Sequence, residues 1–542
     1  MKIALAQLNY HIGNFESNVR KIKDAITRAK EQNADLVIFA ELAVCGYPPR
    51  DFLEFEDFIK KCSESIDEIA RECVGIAAVI GAPTTNPNEK GKPLYNAAYF
   101  LTNGKVESVH HKSLLPNYDV FDEYRYFEPA GSISCIELSG TKIAVTICED
   151  LWTYGNEKLY SSSPMEELIK ENPDLIVNLS ASPFDYRHME DRSATFSNCA
   201  RQFNLPLIFV NHVGAQTELI FDGGSFAIDS GGKMIAQLKM FDEDFKIIDL
   251  DNLTAETSQL QHAKIELIHD ALVLGIRDYF TKSGLKKAIL GLSGGIDSAV
   301  TLALTASALG KENVTALLLP SKFSSDHSVA DAEKLCHTLD CPFEIISIEK
   351  INETFEKTLK PYFKDLPPDI AEENVQARIR AVLLMGFANK FGHILLNTSN
   401  KSEKAVGYGT MYGDMAGGLS ILGDVYKTEV FELAEYINRN GEIIPQNTID
   451  KPPSAELRPD QKDVDSLPEY DILDKILFEY IENRNGPKEL VEMGFSKELV
   501  DRVLKLVNTS EFKRFQAPPI LRISPKAFGM GRRMPIVGKY LS

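Results

Sequence analysis

Short apolar runs alternate with longer stretches in which apolar residues return every third or fourth position, and this rhythm continues through most of the 542 residues. Apolar runs bounded by turn-forming residues read as strands, and a 3.6-residue period reads as helix. In the first half, strands are expected at 3–8, 36–40, 77–81, 97–101, 143–147, 175–179, 207–211 and 225–228, with helices near 17–32 and 191–202. Strands alternating with helices predict an α/β domain, closed by the strands around 225–250. After Asp251 the segment NLTAETSQLQHAK is polar and has no clean period. A boundary therefore falls near 255–265, giving a first domain over 1–252, a linker over 253–264 and a second domain over 265–542.

The second half opens with a helix at 265–282, then a strand at 288–292, a glycine-rich loop and a helix from about Asp297. A strand at 314–319, a helix at 329–338 and a strand at 343–347 continue the alternation, which predicts a doubly wound parallel α/β unit. The stretch 451–470 is rich in Pro and Asp and reads as a mobile loop.

Composition narrows the class. The chain is 44% hydrophobic and 25% charged, as in ordinary soluble globular proteins, and its length suits two or three domains. A formal net charge of -19 gives it no bulk attraction to nucleic acid or anionic lipid, so neither is expected as a partner. A polyanionic substrate would need a local basic patch or a metal. MKIALAQLN does not read as a signal peptide, and no stretch approaches the roughly 20 apolar residues needed to span a bilayer. The eight cysteines form no CxxC pair, which suits a reduced, cytoplasmic setting. Cys336, His337 and Cys341 lie close together, but no second ligand pair follows at a zinc-like spacing, so they read as structural.

The clearest chemical signal is Gly291-Leu292-Ser293-Gly294-Gly295-Ile296-Asp297-Ser298, between an apolar strand and a helix. Adjacent glycines let backbone N–H groups turn toward a ligand, and the helix N-terminus behind them favours negative charge. Ser293 and Ser298 can donate to phosphate oxygens, whereas Asp297 would repel phosphate and is suited to hold Mg2+. SGG alone could be an ordinary helix cap. The fuller SGGxDS pattern lacks a Walker GK[ST] ending and resembles the pyrophosphatase loop of enzymes that adenylate their substrates.

Further along, Thr398 and Glu403 lie in NTSNKSE at the end of the strand at 393–396, where open α/β sheets bind ligands. Thr398 could bond a nucleotide, Glu403 could be a second carboxylate on the metal, and Lys427 opens the helix at 428–438. Together with ENVQARIR, YGTMYGDMAG, PPSAEL, FKRFQAPP and SPKAFGMGRRMPI, these motifs resemble the NAD synthetase family over roughly 265–540. The resemblance implies that residues 291–298 (Gly291, Leu292, Ser293, Gly294, Gly295, Ile296, Asp297, Ser298), Thr398 and Lys427 bind ATP. It implies that Asn374, Glu403 and Lys513 contact nicotinic acid adenine dinucleotide or its metal, with Asp297 and Glu403 as the metal ligands. Arg378 and Arg380 share a helix with Asn374 and could meet a pyrophosphate or carboxylate. Ammonia-only members often carry Lys where Met411 stands, so that contact is not carried over.

In the first half, Glu41 and Cys148 each end a predicted strand, and Lys112 lies in HHKSLLPNYDVFDEYRYF. A thiol beside a carboxylate and a cation has the makings of a nucleophile: the carboxylate takes its proton, and the cation favours thiolate and oxyanion. A lone strand cysteine is more often an inert buried thiol. The surrounding GYPPRD, KSLLPNY, CED, NLSASPF and FDGGSF, however, resemble the glutaminase branch of the nitrilase family over about 1–250. That resemblance implies Glu41 as general base, Lys112 as the oxyanion-side cation, Cys148 as nucleophile and Glu123 as a second carboxylate. It implies Tyr118, Ser182 and His188 as glutamine contacts, His188 standing where Lys is common.

The two resemblances together imply an N-terminal nitrilase-like αββα sandwich and a C-terminal doubly wound parallel α/β ATP-pyrophosphatase domain. The expected reaction hydrolyses L-glutamine and uses its ammonia, with ATP and Mg2+, to amidate nicotinic acid adenine dinucleotide through an acyl adenylate. An internal tunnel for ammonia and a homo-oligomer formed through the synthetase domain are expected with it. The alternatives are a glutamine-dependent amidotransferase acting on another adenylated substrate, and a non-catalytic sensor or scaffold that kept the folds. The intact triad and SGG loop count against the scaffold.

Overall fold

The computed structural model describes residues 1–155, 159–252, 262–364, 366–459 and 461–541. The chain forms two compact units, Met1–His262 and Ala263–Ser542. Of the expected linker, residues 253–261 lie outside the described residues, and a helix already begins at Lys264.

The first unit holds two six-stranded sheets. One runs in the order Asp244–Asp249, Lys2–Gln7, Leu36–Ile38, Ala77–Thr85, Leu94–Thr102, Lys105–His111; the other runs Met234–Gln237, Phe226–Ile228, Leu207–Asn211, Leu175–Ser180, Thr141–Ile147, Ile136–Leu138. Successive side chains of a strand point to opposite faces, and the sequence uses both faces. Ile3 and Leu5 pack with Leu36 and Ile38 against Ile143, Val145, Ile147 and Val177 of the other sheet. Their neighbours Ala4 and Ala6 face a helical layer in which Ile22 and Ile26 meet Ile66 and Ile69. On the outer face of the second sheet, Phe196 and Ala200 of helix His188–Phe203 cover Ile176 and Phe209. The result is the αββα sandwich that was expected. Helix Glu56–Glu72 and strand Lys105–His111 are additions to the elements read from the sequence.

The second unit is built on a five-stranded, wholly parallel sheet in the order Phe343–Ile345, Val314–Leu318, Lys287–Gly291, His393–Asn397, Leu419–Ser420. Chain order reverses between Lys287–Gly291 and its neighbour His393–Asn397. That reversal is a topological switch point, where the ends of two adjacent strands splay and leave a crevice. The SGG loop and the NTSNKSE segment leave these two strands at the same edge. Helices Tyr470–Ile481 and Lys497–Thr509 pack through Leu473, Leu477, Val503 and Val507 into a separate apolar cluster. Among the described residues, no helix is long and apolar enough to cross a membrane.

Candidate active sites

In the first unit the chemistry gathers where strands end. Strand Leu36–Ile38 leads to Glu41, strand Lys105–His111 to Lys112, strand Thr141–Ile147 to Cys148 and strand Leu175–Ser180 to Ser182. Lys112 Nζ donates to Glu41 Oε1 at 2.7 Å and to Glu123 Oε1 and Oε2 at 2.9 and 2.8 Å. The Lys112 and Glu41 side chains have no exposed surface. Asn96 Nδ2 donates to Glu41 Oε1 at 2.7 Å and to Glu123 Oε2 at 3.3 Å, the Ala181 amide donates to Glu41 Oε2 at 2.9 Å, and the Tyr47 hydroxyl donates to Glu123 Oε1 at 2.9 Å.

Cys148 is buried at the first position after its strand, with φ at +43°. A non-glycine residue in the left-handed region costs about 1–3 kcal/mol and marks an over-determined position. Burial, then the charge of Glu41, push its thiol well above the usual range, with Lys112 opposing. Burial pulls Lys112 down, but the charges of Glu123 and Glu41 outweigh it and hold the ammonium well above its ordinary value. Burial raises Glu123 to about 7, again against Lys112. One cation thus faces two carboxylates and a thiol, which disfavours a resting thiolate. Thiol attack is then best coupled to proton transfer onto a carboxylate.

Asp150 fixes this arrangement. It accepts from the amides of Ser113 and Leu114 at 3.0 and 2.9 Å and of Ile147 at 3.0 Å, so it joins the lysine segment to the cysteine turn. Burial raises it to about 6, with those amides opposing. On the rim, the Tyr118 hydroxyl donates to Glu149 at 2.9 Å. Ser182 Oγ lies 2.9 Å from His188 Nε2, and the His188 ring stacks on Trp152 with centroids 4.7 Å apart. All seven expected residues of this half therefore lie in hydrogen-bonded sets around the strand ends, or, for Cys148, within electrostatic reach of them.

In the second unit a cleft of about 310 Å³ opens at the switch point. It is lined by Gly291, Leu292, Ser293, Gly295, Ile296, Asp297 and Ser298, and also by Thr398, Glu403 and Lys427. Gly294 has φ at +79°, and a Cβ there would fall 2.1 Å from the Ser328 carbonyl oxygen, so only glycine fits the turn. The Ser293 and Ser298 hydroxyls lie 3.2 Å apart at the mouth of the helix. Lys427 Nζ donates to Asp297 Oδ2, and Asn400 Nδ2 donates to Asp297 Oδ1 at 2.9 Å. Burial, then the charge of Asp297, push Glu403 well above the usual carboxylate range, with Lys427 opposing. Burial raises Asp463, which lines the same cleft, against the same lysine.

Asn374 and Lys513 are not among the residues lining this cleft. They meet the loop beside it: Asn374 Oδ1 accepts from the Thr410 hydroxyl at 2.7 Å, and Lys513 Nζ donates to the carbonyls of Gly407 and Gly409 at 2.7 and 2.8 Å. Arg380 lines the cleft and donates from Nε to the Leu319 carbonyl, while Arg378 Nε donates to that of Met411. The Pro-rich stretch after Lys451, expected as a mobile loop, is tied down. Glu456 accepts from the hydroxyls of Ser325 and Ser328 at 3.0 and 2.7 Å, and Asp463 accepts from Tyr470 at 3.0 Å.

Sequence reasoning gave no role to Asn96, Asp150, Asn400, Glu456 or Asp463. Asn96 did carry a signal, being a lone amide inside the apolar run LYNAAYF of strand Leu94–Thr102. Among the described residues, no group of three or more His, Cys, Asp or Glu is arranged to hold a metal ion.

Two family models match the chain: carbon-nitrogen hydrolase over residues 2–259 and NAD synthase over residues 268–517. Curated relatives align end to end. A glutamine-dependent NAD(+) synthetase of Synechocystis sp. is 46% identical, covering 98% of this chain and 98% of its own. One of Acinetobacter baylyi is 44% identical, covering 99% and 98%. Among solved structures, a glutamine-dependent NAD+ synthetase from Acinetobacter baumannii in complex with adenosine diphosphate is 41% identical, with a TM-score of 0.79 and coverage of 99% and 98%. A glutamine-dependent NAD(+) synthetase from Cytophaga hutchinsonii, 22% identical with a TM-score of 0.84 and coverage of 99% and 98%, shares the fold.

Proposed function

The chain belongs to the family of glutamine-dependent NAD(+) synthetases, amidating ligases, and on that footing we propose how its two units divide the reaction. The first unit releases ammonia from L-glutamine. Cys148 Sγ attacks the side-chain carboxamide carbon while Glu41 takes the thiol proton. That proton passes to the departing nitrogen, so ammonia leaves and a thioester remains. Water, deprotonated by Glu41, then attacks the thioester and frees glutamate and the thiol. Lys112 stabilises the oxyanion of both tetrahedral intermediates, Glu123 tunes the charge at Lys112, and Tyr118, Ser182 and His188 hold the amino-acid end. The observation that carries this half is the buried Lys112–Glu41–Glu123 set beside a thiol in a left-handed turn.

The second unit makes the amide. The carboxylate of nicotinic acid adenine dinucleotide attacks the α-phosphorus of ATP, releasing pyrophosphate and forming an acyl adenylate. Ammonia then attacks the acyl carbon and AMP leaves with the C–O bond electrons. The SGG loop, Ser293, Ser298, Thr398 and Lys427 bind the nucleotide phosphates. Asn374 and Lys513 position the dinucleotide through the adjoining 407–410 loop. Two carboxylates facing one cleft, one of them raised by burial and then by the charge of the other, suit a hard divalent cation, and Asp297 and Glu403 would hold Mg2+. When bound, Mg2+ supplies positive charge against the ATP phosphates.

A homo-oligomer through the second unit is supported by Ile370, Val382, Met385 and Phe391 of helix Ile370–Phe391, apolar side chains exposed in the single chain. A cytoplasmic location is supported by eight cysteines that are all free thiols. The deciding experiment is product analysis with nicotinic acid adenine dinucleotide, ATP and either glutamine or ammonium. NAD+, AMP and pyrophosphate should form with both nitrogen sources, and glutamate with the first alone. Absence of NAD+ with both would overturn the reading.

A further inference from the structure

Asn400 has no exposed surface and stands between the two carboxylates assigned to the cation. Its Nδ2 donates to Asp297 Oδ1 at 2.9 Å, its Oδ1 accepts from the Glu403 amide at 2.9 Å, and its own amide donates to Glu403 Oε2 at 3.2 Å. The amide orientation is determined by its partners, since an N–H faces the oxygen and a carboxylate faces the nitrogen. The Asn400 side chain ties Asp297, across 103 residues, to the turn carrying Glu403.

We propose that Asn400 is a positioning residue for the divalent cation: its amide holds the Asp297 carboxylate in register with Glu403, and both side chains line the one cleft. Lys427 anchors the other Asp297 oxygen, so the carboxylate is held from both sides. Groups behind a metal's ligands fix ligand rotamers, and their loss typically costs roughly ten- to a hundredfold in metal affinity. The inference rests on the assignment of Asp297 and Glu403 to Mg2+.

Asn400 also caps helix Lys401–Val406, and the test must separate the two roles. Serine and threonine cap helices about as well as asparagine, but neither reaches Asp297. In the full-length protein, Mn2+ binding would be titrated by electron paramagnetic resonance in the presence of ADP, with melting temperature as the fold check. Asn400→Ser and Asn400→Thr should weaken Mn2+ binding about ten- to a hundredfold with little change in melting temperature. ATP-dependent pyrophosphate release should recover at high Mg2+. Mn2+ affinity within about twofold of the parent in a folded Asn400→Ser or Asn400→Thr protein, while Asp297→Asn has lost binding, would overturn the proposal. Full Mn2+ binding in Asp297→Asn would overturn the metal assignment itself, and the bridge with it.

Discussion

Each unit sets a buried lysine among acids at its site, and each places an asparagine beside two of the carboxylates. Lys112 meets Glu41 and Glu123 with Asn96 between them; Lys427 meets Asp297, with Glu403 and Asp463 near and Asn400 bridging. The difference lies in access and in balance. The first cluster is closed and holds one lysine against two acids, one of which titrates near 7. The second lines an open cleft and holds one lysine against three acids. The closed set satisfies its own charges as folded, and the chemistry proposed for it needs only its own protons. The open set lies beside the glycine-rich loop, and burial and mutual repulsion raise two of its acids above the usual carboxylate range.

The contrast breaks most sharply at Cys148. Cys148→Ala should abolish glutamine-dependent NAD+ formation, by on the order of a million-fold. Ammonia-dependent formation should stay within about twofold, because the synthesis proposed for the second unit makes no use of the thiol. Both rates measured on one preparation decide it; loss of both in a folded protein would sink the division of labour.

Next in size is Asp297→Asn, which removes a carboxylate from the open set alone. Pyrophosphate release should fall by roughly a hundredfold or more, while glutamate formation changes a few-fold. Unchanged pyrophosphate release would remove Asp297 from the site.

Glu123→Gln sharpens the comparison through pH. A carboxyl raised to about 7 is neutral below that pH and charged above it. Its charge adds to the negative field at Glu41 and strengthens that base, so the glutaminase rate should climb as pH rises through about 7. The glutamine variant should lose that limb and run roughly tenfold slower above it. The sign for stability is opposite. A raised carboxyl binds its proton more tightly when folded, so its contribution is complete below the ordinary value of 4.5 and is lost as pH rises through about 7. Melting temperatures across that window should fall less in Glu123→Gln than in the parent.

The smallest effect is expected at Asp150, which orders groups and touches no substrate. Asp150→Asn keeps the shape but weakens three charge-assisted bonds, so glutaminase kcat should drop a few-fold and stability by about 1–2 kcal/mol. Synthesis from ammonia should not change.

Residues near strand ends were legible in the sequence, because an apolar run such as IAVTI announces its own boundary and puts Cys148 at a sheet rim, and LVIFA places Glu41 close to one. The SGG loop was legible for the same reason. What pairs with what across long separations was not. Nothing local says that Asn96 reaches Glu41, 55 residues away, or that Asp150 holds the amide of Ser113. Asn374 and Lys513 carried a family resemblance, but only the packing of the 407–410 loop reveals that they meet that loop rather than line the cleft. Edges drifted where propensity yields to caps: helix Asp326–Leu339 starts three residues before the expected 329 because Ser325 caps it. Strand Leu36–Ile38 stops short of 40 because the chain turns to present Glu41.

The left-handed turn at Cys148 sets stability against chemistry at a single codon. An L-residue there costs about 1–2 kcal/mol that glycine would not, and glycine's extra freedom when unfolded returns roughly 0.4–1 of it. Cys148→Gly should therefore melt slightly above Cys148→Ala. Glycine would relieve the turn but would also empty the space the buried side chain fills between the sheets, and on the proposed mechanism it would remove the nucleophile. The backbone at position 148 thus holds a local strain that the proposed thiol chemistry gives a reason to keep.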